Sequence, residues 1–118
     1  VYNNIDIADN SWNTIQEGMH QVAENTAAFK DLNLTIAGKT GTAQQTGHAN
    51  HGLFIGYAPY DDPEITIAVR IANGYSSHNA ATAARNVISY YYKETSMKDI
   101  KEMKAAGVNG NTRNSVAD

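Results

Sequence analysis

The stretch IAGKTGTA at residues 36–43 decides how the rest of the chain is interpreted. It reads as a strand, but Gly38 and Gly41 are weak strand formers. A glycine inside a strand often marks a bulge, or a close approach of another backbone or a ligand. We therefore expect this strand to bind a ligand.

Three polar side chains in the same stretch indicate what the strand binds. Lys39 supplies a positive charge, and Thr40 and Thr42 supply hydroxyl groups that donate and accept hydrogen bonds. Together with exposed backbone N–H groups, they suit an anion that lies next to a carbonyl group. The alternative interpretation of Lys39 is a solvated lysine that protects an edge strand from aggregation.

The segments around this strand predict an α+β fold. Apolar residues recur at helical spacing in 11–25 and in 79–93, and strands are predicted at 34–44, 52–58 and 64–72. The short connections between the three strands favour an antiparallel sheet, and each amphipathic helix is expected to cover one sheet face. The expected architecture is therefore an antiparallel sheet of three consecutive strands flanked by helices.

The helix ends and the last part of the chain carry weaker signals. Polar residues at 9–11 are good caps for the first helix, and Asn79 is a good cap for the second. Gly18 lies inside the first helix, where glycine costs about 1 kcal/mol relative to alanine unless a neighbouring element packs closely there. Residues 94–118 are expected to form a short helix and a flexible tail.

Composition excludes several classes of function. The 118 residues are 42% apolar and 18% charged with a net charge of −3, so nothing indicates a nucleic-acid partner. The absence of cysteine excludes disulfides, zinc–thiolate sites and a thiol nucleophile from this sequence. Because no apolar run approaches the ~20 residues of a membrane helix, the fragment is expected to be soluble. Because the chain begins at Val1 rather than at a methionine, we expect a piece of a longer protein.

Several motifs together carry a family resemblance. These are AGKTGTAQ at 37–44, Gly18-Met19 on the preceding helix, FIGYAP at 54–59 and the turn that ends at Pro63. Their order and spacing resemble the C-terminal part of the transpeptidase domain of penicillin-binding proteins, most closely the class B, high-molecular-weight type. The resemblance implies a β-lactamase/transpeptidase-like fold and a parent enzyme that cross-links bacterial peptidoglycan. It also implies a parent anchored at the extracytoplasmic face of the cell membrane.

The resemblance also implies roles for the residues of the strand. Lys39 and Thr40 would bind the carboxylate of a D-alanyl-D-alanine stem peptide or of a β-lactam, and the Thr42 backbone N–H would donate to the oxyanion. Gly41 would let the ligand backbone lie along the strand, and Gln44 would also contact substrate. The implied partners are these ligands and the rest of the transpeptidase domain, and no cofactor is implied.

The catalytic serine of the family is missing from this sequence. Its S-x-x-K motif does not occur, and the nearest approach is the threonine-led segment 95–98. The pattern S-x-N occurs at 11–13 and 77–79, but both segments are interpreted as helix starts rather than as the middle motif of the family. We therefore expect the fragment to be inactive alone.

Other interpretations stay open. A serine β-lactamase or a penicillin-sensing receptor would share the strand motif, and a non-catalytic module could keep the sheet for partner binding. His48 and His51 form an H-x-x-H pattern, but a polar loop is favoured over a metal site because no third ligand is visible. An exposed sheet edge is expected, which would permit dimerisation or strand exchange.

Overall fold

The computed structural model describes residues 5–102. In chain order, the elements are α1 (Asp9–Glu24), a 3-10 turn (Ala27–Phe29), β1 (Ala37–Ala43), β2 (His51–Ala58), β3 (Ile65–Ile71), α2 (Ser77–Tyr91) and α3 (Met97–Glu102). The strands form one antiparallel sheet in the order β1-β2-β3. The predicted α+β fold with three consecutive antiparallel strands is therefore confirmed. Most of the predicted C-terminal tail lies outside the described residues.

The core lies between α2 and one face of the sheet. Ala80, Ala84 and Ile88 of α2 are completely buried, and they share one cluster with Phe54 of β2. Successive side chains of a strand point to opposite faces, so the alternating apolar residues of β3 all pack against the same cluster; they are Ile65, Ile67, Val69 and Ile71. We call this sheet face the α2 face, and the opposite face the open face.

Helix α1 packs chiefly against β1 and the 3-10 turn. The expectation that each helix covers a sheet face is therefore wrong for α1. The N-terminal half of α1 buries little apolar surface, since Trp12 is 38% and Ile15 is 48% exposed. On the open face, Ile55 of β2 is 56% exposed. Helix α2 thus covers one side of the sheet, and the other side is accessible around Ile55 but enclosed at Ala37.

Both predicted helix caps differ from the observed ones. Ala8 occupies the N-cap position of α1 without a side-chain hydrogen bond, and the polar residues at 9–11 lie inside the helix. In α2 the cap is Ser76, whose hydroxyl accepts the N–H of His78 at 3.1 Å. Asn79 instead donates its side-chain amide to the Gly74 carbonyl at 2.9 Å. The polar residue nearest the preceding turn therefore caps α2.

Two further expectations need correction. No described residue outside α1 comes within 4 Å of the position that a Cβ at Gly18 would occupy, so close packing does not account for this glycine. The first strand begins at Ala37 rather than at Leu34, since the regular pairing with β2 starts at Ala37 and Tyr57; before it, the Thr35 carbonyl accepts a hydrogen bond from Tyr60 N–H at 3.0 Å. No helix within residues 5–102 has both the length and the apolar character needed to cross a membrane.

Candidate functional site

The candidate binding residues lie on β1, which is an edge strand of the described sheet. Directly opposed residues of antiparallel strands point to the same face. Thr40 is opposite Phe54 and therefore faces α2, whereas Lys39 is opposite Ile55 and faces the open side. The strand thus presents hydroxyl groups on one face and the ammonium group on the other, with its free backbone edge between them.

The Lys39 ammonium group is available to a ligand. Its side chain is exposed, and Nζ donates a hydrogen bond to the neighbouring Thr40 carbonyl at 2.7 Å. Within residues 5–102 no carboxylate lies within ion-pair distance of this nitrogen. The positive charge is therefore not neutralised by the part of the protein that the structure describes.

The two glycines of β1 have different structural reasons. A Cβ at Gly38 would overlap the Phe54 ring and lie 2.8 Å from the Ile55 carbonyl oxygen, so the core itself requires glycine there. A Cβ at Gly41 would lie 3.4 Å from Leu53 Cβ, which is an ordinary contact. The pairing with β2 runs without interruption from Ala37 to Ala43, so neither glycine marks a bulge. Packing within the described residues therefore explains Gly38 and does not require glycine at position 41.

A shallow groove of about 390 Å³ runs across the open face beside Lys39. Leu53 and Ile55 of β2 form much of its apolar floor, and Arg70 of β3 lies at its other side. Arg70 lies on the exposed side of β3, opposite Leu53, and therefore on the same face as Lys39. The pairing of β1 and of β3 with β2 creates this relationship, so it depends on the register of both strand pairs.

The segment after β1 contains the remaining predicted contacts. Gln44 is exposed and follows the last residue of the strand. His48 lies in the turn, where its N–H donates to the Gln45 carbonyl at 3.2 Å. His51 begins β2, and its Nδ1 accepts the N–H of Asn73 at 3.0 Å. Among residues 5–102 no three His, Cys, Asp or Glu side chains are grouped closely enough to hold a metal ion.

The serines in the described part of the chain have structural roles or lie within helices. The Ser96 hydroxyl donates to the Asp99 carboxylate at 2.6 Å, and the Ser89 hydroxyl donates to the Asn86 carbonyl at 3.3 Å. Ser11 and Ser77 lie in the first turns of α1 and α2. Within residues 5–102 no serine hydroxyl is hydrogen-bonded to a lysine, which a serine–lysine nucleophile requires.

Comparison with known proteins gives consistent matches. The family model described as penicillin binding protein transpeptidase domain matches residues 1–89. The peptidoglycan D,D-transpeptidases MrdA of Haemophilus influenzae and Acinetobacter baumannii are each 35% identical to this chain, over 71% and 75% of it. The chain spans only 16% of the length of either protein.

Solved structures agree with the sequence matches. The structure of Pseudomonas aeruginosa PBP2 in complex with WCK 5153 has a TM-score of 0.66 at 34% identity, and the match covers 75% of this chain and 21% of that one. Penicillin-binding protein 2B of Streptococcus pneumoniae strain R6 has a TM-score of 0.69 at 28% identity, covering 81% and 18%. The chain therefore belongs to the penicillin-binding protein transpeptidase family, within the class B type that its motifs resemble.

Proposed function

We propose that this chain supplies the substrate-binding strand of a bacterial peptidoglycan D,D-transpeptidase, which cross-links cell-wall stem peptides by serine acyl transfer. The observation that carries the proposal is the Lys39 ammonium group, which has no carboxylate partner in the described residues and lies on an accessible edge strand. Membership in the transpeptidase family gives this strand its chemical context.

The reaction has two acyl-transfer steps. A serine hydroxyl oxygen attacks the carbonyl carbon of the penultimate D-alanine, the bond to the terminal D-alanine nitrogen breaks, and this amine leaves with a proton. The amine of a second stem peptide then attacks the ester, which forms the cross-link and regenerates the serine. Both steps develop negative charge on the carbonyl oxygen, so both need a fixed hydrogen-bond donor there.

The residues of β1 are proposed to hold the substrate and its oxyanion. Lys39 and Thr40 bind the terminal carboxylate of the peptide or the carboxylate of a β-lactam. The Thr42 backbone N–H donates to the oxyanion, and loss of one such donor costs about 3 to 4 kcal/mol in other acyl-transfer enzymes. The ligand backbone extends along the free edge beside Gly41 and reaches Gln44, as in strand addition to a sheet.

The nucleophilic serine is proposed to come from another part of the transpeptidase domain. Residues 1–93 would then be the C-terminal segment of that domain, and residues 94–118 would follow as a short helix and tail. The open face of the sheet, with its exposed Ile55, would pack against the remainder of the domain. The proposed location is the extracytoplasmic face of the cell membrane, where stem peptides are found.

Two other functions have less support. A serine β-lactamase or a penicillin-sensing receptor would share the strand, but the relatives named above are transpeptidases and penicillin-binding proteins. A non-catalytic module would keep the sheet without reacting with penicillin. Penicillin acylation separates this last function from the proposed one.

The test is covalent labelling of the intact protein that contains this chain with a fluorescent penicillin. We expect stoichiometric labelling, and Lys39→Ala should lower the second-order acylation rate constant on the order of 100-fold with little change in Tm. Lys98→Ala removes an exposed lysine of α3 and is the matched control, which should label at the wild-type rate.

The outcomes that would contradict the proposal are specific. An intact protein that stays unlabelled at high penicillin concentration is not a penicillin-reactive transpeptidase. Equal losses of labelling and folded protein in Lys39→Ala would favour a structural role for this lysine. Stoichiometric labelling of the 118-residue chain alone would place the nucleophile within it, contrary to the proposal.

A further inference from the structure

A histidine on α1 contacts the backbone where the chain enters β1. His20 Nδ1 lies 2.9 Å from the Ile36 carbonyl oxygen, and the His20 side chain is only 17% exposed. A carbonyl oxygen can only accept a hydrogen bond, so Nδ1 is the donor. This bond joins residues 16 positions apart and connects α1 to the residue that precedes the strand.

The imidazole ring is held in place by the turn between β2 and β3. It stacks on the Tyr60 ring, with centroids 4.2 Å apart and an interplanar angle of 5°. The Tyr60 backbone N–H donates to the Thr35 carbonyl at 3.0 Å and lies 3.2 Å from the Thr35 hydroxyl oxygen. Thr35 and Ile36 are therefore held by hydrogen bonds from Tyr60 and His20, whose rings stack on each other.

Carboxylates of α1 fix the two rings further. Tyr60 donates its hydroxyl to Glu17 at 3.1 Å, and Glu24 lies 3.6 Å from His20 Nε2. Hydrogen bonds from the Gln21 amide, at 2.8 Å, and from Tyr60 lower the pKa of Glu17, so it accepts these bonds as a carboxylate. The orientation of the imidazole is thus determined from its edge and from its face.

This cluster lies close to the proposed substrate-binding residues along the chain. Ile36 is 3% exposed and Ala37 is completely buried, so the entry to β1 is enclosed by protein. Lys39 follows Ile36 by three residues, which is roughly 10 Å of extended strand. In enzyme active sites, displacement of a positioning group by about 1 Å can cost 100-fold in rate.

We propose that His20 is a positioning residue for β1. Through its hydrogen bond to the Ile36 carbonyl, it holds the strand so that Lys39, Thr40 and the Thr42 N–H are correctly placed to bind the substrate. The inference rests on the proposed transpeptidase function. It differs from a role in stability alone, because it ties the rate of acylation to the hydrogen-bond donor at the Nδ1 position.

The experiment compares His20→Phe with His20→Asn in the intact protein. Phenylalanine keeps an aromatic ring for Tyr60 but has no donor, whereas the asparagine amide nitrogen takes the position of Nδ1. We expect His20→Phe to lower the penicillin acylation rate constant, per folded molecule, on the order of tenfold, and His20→Asn to restore most of it. Thr14→Ala on the exposed side of α1 should acylate at the wild-type rate.

The results that would overturn the proposal are a His20→Phe protein that acylates at the wild-type rate, or a His20→Asn protein as slow as His20→Phe. If His20→Phe does not fold, His20→Gln replaces it, because its longer side chain places the amide nitrogen near Nε2 instead. Asparagine should then be the faster variant, and equal rates would overturn the proposal. A wild-type protein that penicillin does not label would instead reject the transpeptidase function itself.

Discussion

The phenyl ring of Phe54 fills the space into which a side chain at Gly38 would project. Gly38 is therefore explained by the protein interior rather than by a ligand. We expect Gly38→Ala to lower the free energy of unfolding by about 1 to 3 kcal/mol, because the buried ring would have to move. Thermal unfolding of the protein measures this loss, and an unchanged Tm would contradict the structure of the β1–β2 pair.

Gly41→Ala should slow penicillin acylation but leave the thermal stability almost unchanged. Its Cβ would make only an ordinary contact with Leu53, so Tm should change little. The added methyl group lies beside the edge along which the ligand is proposed to extend, so penicillin acylation should slow on the order of tenfold. Parallel measurement of Tm and acylation for both glycine variants checks this. A wild-type acylation rate in Gly41→Ala would mean that the ligand does not approach there.

Gly18→Ala should stabilise the protein. Gly18 is exposed within α1, and no described residue outside the helix approaches its Cβ position. Alanine is favoured over glycine in a helix interior by up to about 1 kcal/mol. Equilibrium denaturation should show an increase of this size, and Gln16→Ala provides a control on the same helix. A loss of stability would indicate that another part of the protein packs closely against Gly18.

Tyr57→Phe should leave stability unchanged or raise it. The Tyr57 hydroxyl oxygen is buried and has no hydrogen-bond partner among residues 5–102, and burial raises the pKa of this phenol. Removing a buried hydroxyl that lacks a partner removes its desolvation cost, on the order of 1 kcal/mol. Denaturation of the 118-residue chain tests this. A destabilised variant would show that a partner outside the described residues binds the hydroxyl.

Helix α3 should melt selectively in acid. Hydrogen bonds from the Ser96 hydroxyl, at 2.6 Å, and from the Ser96 N–H, at 3.3 Å, lower the pKa of Asp99. A depressed folded-state pKa contributes stability that is present above the unfolded pKa, near 4, and is lost as the pH falls through the folded pKa. NMR shifts of α3 followed from pH 5 to pH 2 should show this loss.

Asp99→Asn removes this titration and should weaken α3 already at pH 5. Asp31→Asn changes an exposed aspartate before β1 and should leave the α3 profile unchanged. An acid transition of α3 that persists unaltered in Asp99→Asn would exclude this carboxylate as its cause.

The periodic parts of the fold could be predicted because their signal is local. In β3, Ile65 to Ile71 alternate strictly, and the structure turns these side chains toward α2. Asn79 was the wrong cap for α2, because Ser76 is equally suited and lies closer to the turn. The packing of α1 could not be predicted in the same way. Trp12 and Ile15 occur at helical spacing, but spacing does not tell how much of each side chain becomes buried.

The candidate site was predictable only where its residues are adjacent in sequence. Lys39, Thr40 and Thr42 occur in one motif, so they could be named before the fold was known. The relation of Lys39 to Arg70 depends on strand register. The contact of His20 with Ile36 depends on the docking of a helix against an edge strand, and no short-range pattern carries that information.

The link between Thr35 and Tyr60 also has a consequence for folding kinetics. These residues are 25 positions apart, and the whole β1–β2 hairpin lies between them. Closing such a loop costs entropy before the contact compensates for it. We therefore expect the contact between Thr35 and Tyr60 to form after the rate-limiting step of folding. Mutations of these two residues should then mainly accelerate unfolding and leave the refolding rate almost unchanged.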